Sequence, residues 1–402
     1  YSGGAAGAYA RPGETNPAMA IVTRYFSTTA AGLGDGTSWA NRAALFSSGN
    51  WSSVITGFAF NGSDTLECRI EGGLSYTCSQ SMASGLFANP PSVANSLLVH
   101  GCDSSGNLLE PPDRDWLSAQ GTFSTSTLPV IATTTNIITA NLANSFWRLI
   151  AYTASGANGA IANTGNYDWC SFTNSTANTS AGGVNNPTSL RNSQILMNGA
   201  SFAYGLSHAG GTQCSNVRVD GTAGVTSGNR IGVTTSSAGM QNSEGLTILN
   251  FAGGGFLAAT GATGRYATIR KCTFYGNASY GFRGNSTASQ TVYHQVVDSV
   301  FVDNAIGIDG QSAARILVSN CRLRDNTNNF SGMGNFPETW GVDIAAGNDS
   351  DEFVDVAGGD YRIKNTSTIW GKNWGAGDEP AAASGGSALH LGGLGQTGIG
   401  VF

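Results

Sequence analysis

Cys272-Thr273-Phe274-Tyr275-Gly276-Asn277 decides the fold, together with Ser299-Val300-Phe301-Val302-Asp303-Asn304 and Cys321-Arg322-Leu323-Arg324-Asp325-Asn326 after it. In each segment two inward-type residues flank one variable residue, and the run then ends in Gly, Asp and Asn. The pattern continues toward the N-terminus at Leu246-Thr247-Ile248-Leu249-Asn250, Val217-Arg218-Val219-Asp220, Ile195-Leu196-Met197-Asn198 and Cys170-Ser171-Phe172-Thr173-Asn174. Ser299 is the one inward position that is not apolar. The steps between segments are 25, 22, 29, 26, 27 and 22 residues. A period in this range marks a stacked array with no single closed core. The apolar-x-apolar alternation is strand spacing with one face turned inward.

The linking stretches, such as GNASYGFRGNST, are rich in Gly, Ser, Asn and Thr, which favour turns over helix. The leucine ladder of a leucine-rich repeat is missing, and helical repeats need longer periods. An all-β, right-handed parallel β-helix solenoid fits. A second ladder, Gly255-Phe256, Gly281-Phe282 and Gly307-Ile308, belongs on another face of each coil. Ser38 is expected to cap a short helix through Leu45, with Trp39, Ala43 and Phe46 as its apolar stripe, shielding the first coil. Irregular strands are expected at Ile21–Ser27, Val54–Phe60, Thr65–Ile70, Ser96–Gly101, Leu128–Thr133 and Phe146–Tyr152. The chain divides into an extended arm or linker (1–18), a strand with its capping helix (19–50), the β-helix (51–330) and a C-terminal cap with a Gly/Ala-rich tail (331–402).

The composition narrows the partners. Gly stands at 57 of 402 residues and only 11% of residues are charged, against a usual ~25%. No apolar run approaches the ~20 residues of a spanning helix, so no membrane insertion is expected. A net charge of −6 without a basic run argues against nucleic acid. The seven Cys residues show neither a C-x-x-C pair nor metal-ligand spacing. Cys170, Cys272 and Cys321 occupy inward positions as small apolar residues. Cys68 and Cys78 bracket a hairpin-like stretch in which either a bridge or two thiols fits. The start, YSGGAAGAYARPGETNP, lacks the basic and apolar regions of a secretory signal.

Two stretches resemble a known group. Arg24–Leu45, with Gly34-Asp35-Gly36-Thr37-Ser38-Trp39, resembles the opening of many bacterial and phage right-handed β-helix proteins. Phe353-Val354-Asp355, Asp360-Tyr361-Arg362-Ile363 and Thr366-Ser367 resemble the group's closing motif, except that Ser367-Thr368-Ile369-Trp370-Gly371 replaces its usual Ser-Pro-Ala-Ile ending. The group includes phage tailspikes, virion surface proteins, secreted pectate-lyase-like enzymes and adhesins, so the resemblance implies a fold and leaves the activity open.

A glycoside hydrolase needs two carboxyl groups ~5–5.5 Å or ~6.5–9.5 Å apart. Asp303 and Asp325, at equivalent positions in successive coils, are the catalytic candidates, with Asp298 and Asp309 nearby. Asp and Asn at strand ends are equally turn formers. Arg270, Lys271, Arg283, Arg322 and Arg324 are the available bases for a lyase. Trp147, Tyr275 and Tyr280, with Trp116, Trp370 and Trp374, are candidates for stacking on sugars, against core or interface packing. No metal and no cofactor is called for. The leading expectation is a structural virion surface protein of a tailed phage, of capsid-decoration or tailspike type. It would be a homotrimer beside other virion proteins, adhering to host surface polysaccharide. The alternatives are a secreted or cell-surface bacterial adhesin and a polysaccharide hydrolase or lyase.

Overall fold

The computed structural model describes residues 21–378 apart from 48–49, 62–63, 81, 94–95, 112–123, 134–138, 141, 143, 156–159, 176–181, 200–202, 209–211, 222–229, 236–239, 259–265, 286–292, 312–314, 334–337, 348–350 and 376–377. It is a parallel β-helix. The strands of a 21-stranded and a 10-stranded sheet wrap the chain into coils, and all pairings within these sheets are between successive coils. The larger sheet bends to make two faces. The first face begins at Ile21–Ser27 and Thr65–Glu71 and ends at Arg315–Ser319 and Glu338–Trp340. The second runs from Ser75–Cys78 to Arg322–Arg324 and Asp343–Ala345. The smaller sheet, from Met82–Ala83 to Asn328–Ser331, is the third face.

The bend between the first two faces has a local cause. The residue at the corner is left-handed in coil after coil: Leu149, Trp169, Asn192, Asn216, Lys271, Asp298 and Asn320 have φ between 49° and 56°, and Gly245 and Gly341 have 67° and 61°. Asn, Asp and Gly tolerate this conformation best, which explains their recurrence there. Directly after the corner the chain turns inward. Cys170, Val217, Leu246, Cys272, Ser299 and Cys321 are all buried. Two residues on, Phe172, Ile195, Val219, Ile248, Phe274, Phe301 and Leu323 pair in register from coil to coil. Phe274 and Phe301 stack with centroids 4.6 Å apart, and Tyr152 and Phe172 at 5.0 Å.

One register differs from the sequence reading. Ile195 lies on Phe172, so Ser193, not Ile195, follows Cys170 in the inward column. Its hydroxyl accepts the Cys170 N–H at 3.0 Å and donates to the Arg191 carbonyl, and Ser299 makes the same pair of bonds at Cys272 and Val297. Serine thus enters the lumen where it satisfies two backbone groups at the corner.

At the second corner, Asn277, Asn304 and Asn326 form an internal amide ladder. Asn304 Nδ2 donates to the Phe274 carbonyl at 3.0 Å, and its Oδ1 accepts the Asn277 N–H at 3.2 Å. Asn326 repeats this one coil on. The glycines of the second ladder face this column. A Cβ on Gly281 would sit 2.7 Å from the Phe301 ring and 2.8 Å from the Gly307 carbonyl, so Gly is what lets the phenylalanine stack fit. Phe256, Phe282 and Ile308 then point inward in register, as the ladder requires.

Three other expectations change. Ser38 does cap, but the helix is one 3-10 turn, Trp39–Asn41, because Ala43–Ala44 already pairs as strand with Phe26–Ser27. Val54–Phe60 is a run of turns with a single bridge at Ala59. One more coil, Glu338–Trp340 and Asp343–Ala345, pairs beyond residue 330. All seven cysteines are free thiols, Cys68 and Cys78 among them. Residues 1–18 lie outside the described residues.

After the last coil the chain folds back along the outside. The antiparallel pair Phe353–Asp355 and Asp360–Ile363 lies on the outer surface of the second face, packing Phe353, Tyr361, Ile363, Ile369 and Trp374 on Leu249, Tyr275, Val300 and Val302. Glu352, with no exposed surface, takes Arg322 at 3.1 Å and Arg324 at 2.7 Å and accepts the Ser367 hydroxyl at 2.6 Å.

Candidate functional site

The outer surface of the first face is built differently. Strand alternation sends one set of residues inward and leaves two outward columns. In one, Leu98, Phe146, Asn166, Ser189 and Gln213 follow each other in register. In the other the order is His100, Arg148, Asp168, Arg191 and Ser215. Beside the left-handed corner at Asn192 they enclose a cleft of about 290 Å³, lined by Phe146, Asn166, Tyr167, Asp168, Ser189, Arg191 and Asn192.

The cleft is held by cross-coil bonds. Asn192 Nδ2 donates to Asp168 Oδ1 at 2.8 Å, and the Ser189 hydroxyl donates to Asn166 Oδ1 at 2.8 Å. Asn166 in turn donates to the Ser145 carbonyl at 3.0 Å. Arg148 Nε stands 3.6 Å from Asp168 Oδ2, and Arg191 reaches Gln213 at 3.3 Å. Burial raises the Asp168 carboxyl above its ordinary range, against the opposing pull of Asn192 and the two arginines. His100, whose ring lies 5.9 Å from that of Phe146, is pushed down to about 4 by burial and is neutral at pH 7. The result is one half-buried aromatic ring beside amides, a hydroxyl, a carboxylate and a guanidinium. An apolar platform with a few convergent polar groups is the usual make-up of a small-ligand site.

The residues singled out from sequence lie elsewhere. Asp303 and Asp325 stack at the second corner, exposed, with φ of 55° and 51°. Asp325 accepts the Gly347 N–H at 3.2 Å and lies 3.6 Å from Arg324. Asp298 is a first-corner residue bonded to Arg270 and Asn320, and Asp309 pairs with Arg283 at 2.7 Å on the third face. The candidate bases are engaged too. Arg270, Arg283, Arg322 and Arg324 hold these carboxylates and Glu352, and Lys271 lies 3.8 Å from Glu244.

Trp147 is wholly buried, its Nε1 donating to Ser145 at 2.7 Å, and offers no face to a sugar. Tyr280 is buried beneath Arg283, which sits 3.9 Å above its ring. Tyr275 packs between Phe353 and Tyr361. Trp374 is covered, Trp370 is partly exposed, and Trp116 lies outside the described residues. Among the described residues no three His, Cys, Asp or Glu side chains gather as a metal site, and no helix is long and apolar enough to cross a membrane.

Sequence reasoning passed over the cleft. Its signal was the polar-apolar-polar triplet Asn166-Tyr167-Asp168, beneath Ser189-Leu190-Arg191 and above Phe146-Trp147-Arg148, which puts like positions on one outward column.

No known protein family and no curated protein matches the chain. Among solved structures it is similar to the crystal structure of pectate lyase Pel9A, at 12% identity and a TM-score of 0.45, over 88% of this chain and 91% of that one. The strand pairing described above establishes the parallel β-helix on its own.

Proposed function

We propose that the protein is a surface β-helix that binds an extended glycan along its first face and does not cleave it. The observation that carries this reading is the cleft, where the half-buried ring of Phe146 lies beside Asn166, Asp168, Ser189 and Arg191. A pyranose has an apolar face for the ring and hydroxyls for the polar groups. The outward columns continue past the cleft in both directions, so neighbouring sugars of a chain meet polar side chains such as Gln213 and Ser215. A parallel β-helix is compatible with a polysaccharide-acting protein. Hydrolysis is disfavoured because, among the described residues, Asp168 is the only carboxylate lining the cleft, while glycosidases work with two.

The setting we propose is a tailspike-like or capsid-decoration protein at a virion surface, as a homotrimer with other virion proteins, adhering to host polysaccharide; the charge-poor composition and the free core thiols support it. A bacterial cell-surface adhesin would use the same cleft. Binding of the purified protein to an array of bacterial surface oligosaccharides tests the reading, with Phe146→Ala and Asp168→Asn as controls. Retained glycan in the wild type, lost in both variants and released at its original length, is the expected result. Shortened glycan, or binding indifferent to both substitutions, refutes it.

A further inference from the structure

Among the described residues, nothing covers the C-terminal end of the solenoid. Ile344 continues the lumen column above Leu323, yet it is 56% exposed where Phe274, Phe301 and Leu323 are wholly buried. On the first face Thr339, which continues the inward column above the buried Val318, is exposed as well. Among the described residues, Asn328–Ser331, Glu338–Trp340 and Asp343–Ala345 are each paired with the coil below and with nothing above. The closing hairpin does not cover this end, because it packs on the outer second face beside Leu249 and Tyr275. An uncapped coil exposes apolar side chains and a row of free strand groups, which solenoids shield with a terminal element.

We infer that this end is a docking surface for the chain's own residues 379–402. The described chain stops at Asp378, whose carboxylate accepts the Gly371 and Asn373 N–H groups at 3.1 and 3.3 Å. Just before, the Gly375 N–H reaches the Asp298 carbonyl at 2.8 Å, so the exit lies beside the coil of Val300. Arg322 and Asp343 are the next two residues in that column, which places the open end about 10 Å away at ~4.8 Å per coil. The 24 remaining residues could span ~80 Å if extended. Leu389-His390-Leu391 and Ile399-Gly400-Val401 repeat the apolar-x-apolar pattern of the inward ladder. Either segment carries the spacing that the two inward positions of the last coil, Val342 and Ile344, call for.

The test uses Ile344→Cys as a reporter, since all seven native cysteines are buried thiols. Its alkylation rate is measured at dilute protein in the full chain and in a chain ending at Asp378. Docking predicts that removal of 379–402 speeds labelling roughly tenfold or more, the factor that ~1.4 kcal/mol of protection imposes. Equal rates in the two chains would overturn the inference. Protection that grows with protein concentration would also overturn it, by assigning the end to a second copy. If the shortened chain loses its cooperative unfolding, the full chain carrying Leu389→Glu and Leu391→Glu replaces it, with the same faster labelling expected.

Discussion

Two outer surfaces of one β-helix have opposite fates. On the second face the outward column Leu249, Tyr275 and Val302 is apolar, and the chain returns to cover it with Phe353, Tyr361 and Ile363. On the first face the equivalent positions are Leu98, Phe146, Asn166, Ser189 and Gln213, and no described strand lies over them. The aromatic residues show what this means. Tyr275 sits in a regular repeat and is consumed by packing, whereas Phe146 belongs to an irregular early coil and lines the cleft half-buried. On the proposed reading, a ring on a solenoid is left for binding only where no part of the chain returns to cover it.

The largest expected effect breaks the covered face. Glu352→Gln removes the fully buried carboxylate that Arg322 and Arg324 share and leaves them only the more exposed Asp343 and Asp351, so the loss is expected at the low end of the range for a buried pair. Removing one partner of a buried ion pair costs about 3–5 kcal/mol. Urea titration should show that loss, and limited proteolysis should cut near Tyr361 first. A variant as stable as the wild type would mean that the hairpin is not clamped by this network.

Next is a pH effect inside the lumen. His294 Nδ1 accepts the Ala267 N–H at 3.2 Å, and burial pushes the ring down to about 4 from its ordinary value of 6.5. The unfolded chain takes up this proton near pH 6.5 and the folded chain only near 4, so the folded state loses stability as pH falls through that window. The loss is on the order of 3 kcal/mol by linkage. Melting curves from pH 7 to pH 4 should therefore fall more steeply for the wild type than for His294→Phe. Parallel curves would contradict the assignment.

Asn304→Ala sharpens the role of the amide ladder. It strands the Asn277 N–H and the Phe274 carbonyl within the wall of the tube. Leaving buried polar groups unsatisfied costs about 1–3 kcal/mol. The smallest stability change is expected at the open face: Phe146→Ala should shift the unfolding free energy by less than ~1 kcal/mol while abolishing glycan retention. A large loss of stability there would make Phe146 a packing residue like Tyr275.

The fold was legible because stacking repeats one environment many times. Phe274, Phe301 and Leu323 report the same lumen, and Asn304 and Asn326 the same corner, so a period emerges without any alignment. The slip at Ile195 arose because Ser193 looks like surface. What identifies it as inward is the left-handed Asn192 before it, in the place that Asn216 and Asn320 occupy elsewhere. The helix expected after Ser38 failed because pairing of Ala43–Ala44 with the first strand outweighs local helix preference. The cleft was illegible for a related reason. Its residues come from Phe146, Asn166 and Ser189 in coils of unequal length, so no motif repeats, and their meeting is visible only once register is known. The closing motif was recognised as an end, but that it would return along the outer second face was set by Glu352, Arg322 and Arg324, which are distant in sequence.

Hydrogen exchange of the purified protein with and without a bound surface oligosaccharide tests the central claim most directly. The account predicts slowed exchange at 146–148, 166–168 and 189–192, no change beneath the hairpin at 273–275 and 300–302, and glycan recovered at full length. Protection centred on Asp303 and Asp325, with shorter fragments in solution, would contradict it.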